Sequence, residues 1–393
     1  MPILVSGVQY SGIWTMQQVN AAIAAGTWPL PPYMYSWGLN NTGQLGTGNI
    51  TSYSSPKQVG SSARWTTGAS GGYWNVGRTF VVAIKSDNSL WSWGGNTKGQ
   101  LGLGNRTDYS SPKQVGSLTT WSSVSAGGGY SSCFAAAIKS DGTLWVWGDN
   151  IEGQLGLGNR TSYSSPKQVG ALTNWSKVSC GAYYQYTAAV KTDGTLWSWG
   201  YNFFGQLGLG NTTSYSSPKQ VGSLTNWLSV ATGYATTWSI KTNGTLWSWG
   251  YNANGELGIG NTTDYSSPKQ IGALTNWLSV TCGYNHALAI KTDGTLWAWG
   301  RNIVGNLGTG NITNYSSPKQ IGALTTWSKT MLTGNYASFA IKTDGTLWSW
   351  GLNSNGQLGL NNRTYYSSPK QVGSLTTWYQ VFSGSESAYA INQ

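Results

Sequence analysis

Apolar and polar residues alternate in short runs along most of this chain, and the runs return at a nearly fixed distance. In Leu196-Trp197-Ser198-Trp199-Gly200 both indoles fall on one face, because strand side chains alternate with a period of two. Ala189-Val190-Lys191 precedes this run, and Asp193-Gly194 stands between them. Asp-Gly supplies the positive φ that a tight turn requires, so the pair predicts a β-hairpin. The run Trp227-Leu228-Ser229-Val230 predicts a further strand, and Pro218 in S-S-P-K-Q marks an edge or a loop.

The second aromatic of W-x-W-G falls at Trp37, Trp93, Trp147, Trp199, Trp249, Trp299 and Trp350, spaced by 56, 54, 52, 50, 50 and 51 residues. S-S-P-K-Q recurs with the same count. Repeats of this length, made of short strands and glycine-rich turns, suit propeller blades of about four strands. The fold class predicted is all-β, a seven-bladed propeller over residues 33–393. Tyr35-Ser36-Trp37-Gly38 lacks the A-I-K strand that should precede it, and Ala390-Ile391-Asn392-Gln393 lacks a partner. Pairing the two across the termini would complete the seventh blade and remove both sheet edges.

Residues 1–32 stand outside the repeat and read as an anchoring segment. Thr15 and Gln18 fit a capping box, Trp14 and Val19 a hydrophobic staple, and Met16, Val19 and Ile23 share one helical face. Gly26 would end the helix, and Pro29, Pro31 and Pro32 would stiffen the link to the first strand. A helix of about eleven residues needs something to dock on. The opening residues have no basic segment and no continuous apolar core, so no secretory signal peptide is expected.

Composition narrows the chemistry. Of the 24 Trp, thirteen sit in W-x-W-G elements and seven in the later strand, which makes them core rather than sugar platforms. The net charge of +11 comes mostly from repeated lysines, seven in S-S-P-K-Q and six in A-I-K. Such a charge forms distributed rings, not a groove that follows a phosphate backbone, so no specific nucleic-acid partner is expected. A single histidine, His286, excludes His-based triads and multi-histidine metal sites. No catalytic constellation, cofactor or metal is expected. Cys133, Cys180 and Cys282 read as small buried strand residues, and the seven N-x-T elements as turn chemistry. No run of 18 apolar residues could span a membrane as a helix.

The copies differ in one segment. From each later Trp to the Ile or Val of the next A-I-K, the separations are 19, 17, 15, 13, 13, 14 and 13. Even excesses of 6, 4 and 2 predict a hairpin that grows by paired residues in blades one to three. That segment and the one after W-x-W-G share a face of the disc, opposite the Asp-Gly turns. Tyr183 and Tyr184, with Tyr186, flank one side of a single hairpin there, and Tyr201, Phe203 and Phe204 flank the other. Tyr251 and Arg301 hold the matching place in later blades, and Tyr73, Trp74 and Arg78 lie in the longest hairpin. Aromatics in loops offer large contact area at low entropy cost, so these residues form the expected partner-binding set.

The elements W-x-W-G-x-N-x-x-G-Q-L-G-x-G and A-I-K-x-D-G resemble the regulator of chromosome condensation repeat, which implies a seven-bladed propeller. The family ranges from exchange factors to ubiquitin-ligase partners and binding modules. Only His286 retains the histidine the family commonly has there, which argues against nucleotide exchange or chromatin binding. The stretch from Gln9 to Trp14, continuing through Ala24 to Pro29, looks like the head of structural proteins from tailed phages, often marine. That resemblance implies a non-enzymatic virion component, a fibre, tail-tip or decoration protein assembled in the host cytoplasm. Its N-terminal segment would hold other virion proteins, and its propeller, in multiple copies, would meet a host-surface glycan or protein. A second reading is a bacterial interaction scaffold outside any virion.

Overall fold

The computed structural model describes residues 3–5, 8–10, 32–61, 64–72, 79–129 and 132–393. The Thr15–Gly26 helix, the staple of Trp14 with Val19, and the face of Met16, Val19 and Ile23 lie outside the described residues. So do Tyr73, Trp74 and Arg78. Ile3–Val5 and Val8–Tyr10 pair as a two-stranded antiparallel ladder.

Seven four-stranded antiparallel sheets form the rest. Blade one runs from an inner strand, Trp65–Gly71, through Phe80–Lys85 and Leu90–Gly94 to an outer strand, Tyr109–Gln114. Blades two to six repeat this order. Blade seven joins the termini: Ser387–Asn392 pairs with Met34–Gly38 from Ile391 opposite Met34 to Ser387 opposite Gly38. The predicted closure is therefore present, and it leaves no open blade edge at the seam.

Local chemistry shapes each blade. At Asp193-Gly194 the glycine takes φ +76. The Asp193 carboxylate accepts the Thr195 N–H at 2.9 Å and its hydroxyl at 2.6 Å, and that hydroxyl accepts the Trp197 indole N–H at 2.8 Å. The N-x-T elements are turns as expected, with Thr213 N–H donating to Asn211 Oδ1 at 2.9 Å. The buried Asn202 pins that loop by donating to the main-chain oxygens of Asn211 and Thr213 and accepting from Leu207 N–H.

Blades are joined by the repeated Trp. The indole N–H of Trp93, Trp147, Trp199, Trp249, Trp299 and Trp350 donates to a main-chain oxygen of the preceding blade at 2.8–3.0 Å. Each of these indoles is fully buried, so these Trp are core, as their register predicts. The first Trp of the element, such as Trp197, is instead half-buried beneath the A-I-K lysine. Outer edges are met by a loop of the preceding blade. Gly158 N–H donates to Ser216 O at 2.8 Å, and Pro218 two residues on has no N–H to offer a foreign strand.

The hairpin expectation holds in part. Blade two adds two ladder pairs, Phe134 with Gly127 and Cys133 with Gly128, and blade one adds Gly71 with Phe80. Blade three does not grow. Its ladder ends at Cys180 with Thr187, as blade four ends at Thr232 with Thr237, so its two additional residues enlarge the connection instead. Tyr183 and Tyr184 occupy that connection, where Tyr183 stacks on Tyr234 of blade four and Tyr184 on Tyr201 of its own blade.

Candidate functional site: an aromatic face over blades three to six

The strands before and after each central hairpin deliver two loops to the same end of the blade. In blade three Tyr201 N–H donates to Gln185 O at 2.9 Å, which fixes the Tyr183–Gln185 turn beside the residues after Gly200. Ala182 N–H reaches Gly233 O at 3.0 Å and Tyr184 N–H reaches Tyr234 O at 3.2 Å, so the turn leans onto blade four.

From this backbone the rings form one continuous surface. Tyr184 stacks on Tyr201 at 5.1 Å between centroids and 9° between planes, and Phe203 and Phe204 meet edge to face at 5.1 Å. Phe204 continues to Tyr251, Tyr183 stacks on Tyr234 at 4.6 Å, and Tyr234 meets Tyr284 at 4.2 Å. Tyr284 reaches Tyr336, which carries the Arg301 guanidinium over its ring and accepts from it at 3.2 Å. Phe203 is 66% exposed and the other rings are half-buried against one another. Of the expected set that the structure describes, Tyr183, Tyr184, Tyr201, Phe203, Phe204, Tyr251 and Arg301 fall on this one face, and Tyr186 does not.

The sequence reading missed Tyr234, Tyr284 and Tyr336, which bridge the blades. Each follows the inner strand closely, in Gly233-Tyr234, Gly283-Tyr284 and Gly334-Asn335-Tyr336, so aligning that position across blades would have found them. Tyr186 is corrected: it is fully buried, its hydroxyl donating to Thr236 O at 2.6 Å, because strand alternation turns it inward.

The face is uncharged at its centre. Burial raises the phenols of Tyr201, Tyr234 and Tyr251, and the carboxylates of Glu256 and Asp264 add to the rise at Tyr251. Asp149, close to this face, is buried and accepts the hydroxyls of Ser132 and Ser162. His286 is buried with Nε2 2.9 Å from Ser338 Oγ, and burial lowers its pKa to about 3. Among the described residues no three His, Cys, Asp or Glu side chains group as metal ligands.

Beside the rings, Gly71 and Gly127 lie at or one residue before the ends of their inner strands, and Gly181, Gly233, Gly283, Gly334 and Gly384 directly follow theirs. They press closely on one another: a Cβ on Gly127 would lie 2.6 Å from Gly181 O, and one on Gly71 2.7 Å from Gly127 O. A cavity of about 60 Å³ remains there, lined in part by Gly127, Gly283, Tyr284, Asn335 and Ser385.

Comparison with known proteins agrees with this architecture. The regulator of chromosome condensation (RCC1) repeat matches at residues 33–76, 87–134, 141–189, 193–239, 243–290, 293–341 and 344–391. The ultraviolet-B receptor UVR8 of Arabidopsis thaliana is 34% identical over 194 residues, 47% of this chain and 41% of that protein. The human E3 ubiquitin-protein ligase HERC2 is 30% identical over 188 residues, 47% of this chain but 4% of the ligase. The matched part thus spans less than half of either relative. Among solved structures, yeast RCC1 (Prp20) bound to Kap60 superposes with a TM-score of 0.78 at 19% identity, covering 92% of this chain and 89% of that one. Human WBSCR16 gives 0.78 at 19%, covering 93% and 99%. At such identity the likeness concerns the fold.

Proposed function

Because the chain belongs to the regulator of chromosome condensation (RCC1) repeat family, we propose that it is a non-enzymatic propeller that binds a protein partner through the face over blades three to six. The continuous surface of nine rings from Phe203 to Tyr336 carries this reading. Tyrosine-rich, half-buried rings supply large, rigid contact area with hydroxyls at the rim, the composition of binding hot spots. The solved structure of yeast RCC1 bound to Kap60 and a study of Prp20p binding to Gsp1p and histones support protein binding as a use of such propellers. Phe203→Ala with Phe204→Ala tests it. Both side chains lie in a loop, so the melting temperature stays within a few degrees while partner capture falls at least tenfold. Unchanged capture by the double variant would reject this face.

In finer terms, the protein is a phage virion component, with its N-terminal segment attached to the particle and its propeller displayed. The resemblance of the Gln9–Pro29 stretch to the head of tailed-phage structural proteins supports this. On a symmetric particle, many copies would turn weak single contacts into firm adhesion. Mass spectrometry of purified particles decides it, and absence of this chain from them leaves the interaction scaffold as the reading.

A further inference from the structure

The rim carries a second kind of surface, unrelated to the aromatic face. Between the outer strands of blades five and six, Tyr315–Gln320 and Tyr366–Gln371, runs a groove of about 590 Å³. That lies within the roughly 300–1,000 Å³ usual for small-molecule sites. Half-buried Tyr315 and Trp348 supply its aromatic walls above the buried core residue Trp327, Leu324 an exposed apolar edge, and Lys319 and Lys342 its charge. No carboxylate lines it.

Both ammonium groups are held in place. Lys342 Nζ lies 3.9 Å from the Trp348 ring centroid and 5.3 Å from that of Trp327, and Lys319 Nζ lies 5.9 Å from Tyr315. A cation held against ring faces loses less freedom on meeting an anion than a free lysine does. The exposed apolar edge at Leu324, beside the lysine-capped rings, suits the apolar face of a sugar ring, and the two ammonium groups lining the same groove suit an acid group on that ring.

The same residues recur around the rim. One blade earlier, Tyr265, Lys269, Leu274, Lys291 and Trp297 take these places, with Lys269 Nζ 5.0 Å from Tyr265 and Lys291 Nζ 3.7 Å from Trp297. The set also recurs between blades three and four, where Lys219 lies over Tyr215 and Lys241 over Trp247. It departs at the last seam, where Asn392 and Tyr35 replace the lysine and the tryptophan.

We infer that the grooves between outer strands are repeated sites for an acidic polysaccharide, each taking a carboxylate-bearing sugar unit. The repeated lysine rings are then a multivalent contact for a polyanionic glycan, and short-range pairing in the grooves, not net charge alone, selects the ligand.

Calorimetry and tryptophan fluorescence with three probes test this: an oligogalacturonate, maltohexaose of similar size without charge, and inorganic polyphosphate without sugar rings. The oligogalacturonate should bind with more than one site per chain and quench indole emission, with the other two at least tenfold weaker. Changing the exposed Lys113, Lys167, Lys219, Lys269 and Lys319 together to Gln should lower uronate affinity at least tenfold with the melting curve retained. Phe203→Ala with Phe204→Ala should leave uronate binding unchanged, which separates this site from the aromatic face. Polyphosphate binding as tightly as the uronate, or uronate binding unaltered in the fivefold lysine variant, would overturn the inference.

Discussion

The indole N–H of Trp37 donates to the main-chain oxygen of Gln357 at 2.8 Å, across 320 residues of sequence. This bond joins blade seven to blade six by the contact that every other blade makes with its predecessor. Trp37→Phe keeps most of the ring but leaves the Gln357 oxygen buried without its donor. The expected loss is about 1–3 kcal/mol in urea unfolding, with a similar loss for Trp147→Phe inside the ring, whose indole donates to Gln100 O at 2.8 Å. Unchanged stability in both would show that these bonds contribute nothing net.

Gly127 tests the close approach around the axis. A methyl group there meets Gly181 O at 2.6 Å, Cys180 Cβ at 2.8 Å and Phe134 Cε1 at 2.9 Å, and the first of these is backbone of the next blade. Gly127→Ala should destabilise by about 1–3 kcal/mol or more. Gly116 has φ +63 with open space around its Cβ, so Gly116→Asn, a residue that tolerates this conformation, should cost little. Equal melting temperatures for the two variants would contradict the packing argument.

His286 links stability to acid. Burial lowers its pKa to about 3, whereas the unfolded chain titrates near 6.5, so between these values the unfolded state binds the additional proton. Stability from this group is present above about pH 6.5 and falls as the pH drops toward 3. His286→Gln, able to keep a bond to Ser338, should flatten that slope. An identical pH profile would rule His286 out as its source.

Glu256 acts with the opposite sign. It stands where five of the other blades carry Gln, is fully buried, and accepts the main-chain and side-chain N–H groups of Asn254 at 2.8 and 2.7 Å. Burial raises its pKa despite those bonds, with Asp264 adding to the rise. The native state therefore holds a proton that the unfolded state releases, and stability declines as the pH rises through the unfolded value of 4.5. Glu256→Gln should raise the melting temperature at pH 7, with the gain shrinking below about pH 4.5. A gain that persists at pH 3 would point to packing rather than charge.

The aromatic face was legible only where it was dense. Tyr183 and Tyr184 as a doublet, and Phe203 with Phe204, stand out from their copies, so variation between repeats exposes them. Tyr234, Tyr284 and Tyr336 are single residues in separate blades, some 50 residues apart, and nothing local joins them. Tyr186 shows the reverse error: it lies two residues from Tyr184 in sequence, but the strand begins at it and turns its ring inward.

Sequence alone determined the blade and its number, because each repeat carries its own turn chemistry, its alternating strands and its Trp staple. It also determined closure, since the first unit lacks the strand that the last one adds. The tertiary structure decided which loops meet. Rings from four blades become one surface only when the disc brings them within 4–7 Å, and a groove forms only where two outer strands lie side by side. Contacts within a repeat are local and therefore written in it. Contacts between repeats depend on the angle at which neighbouring blades pack, and no single repeat encodes that angle.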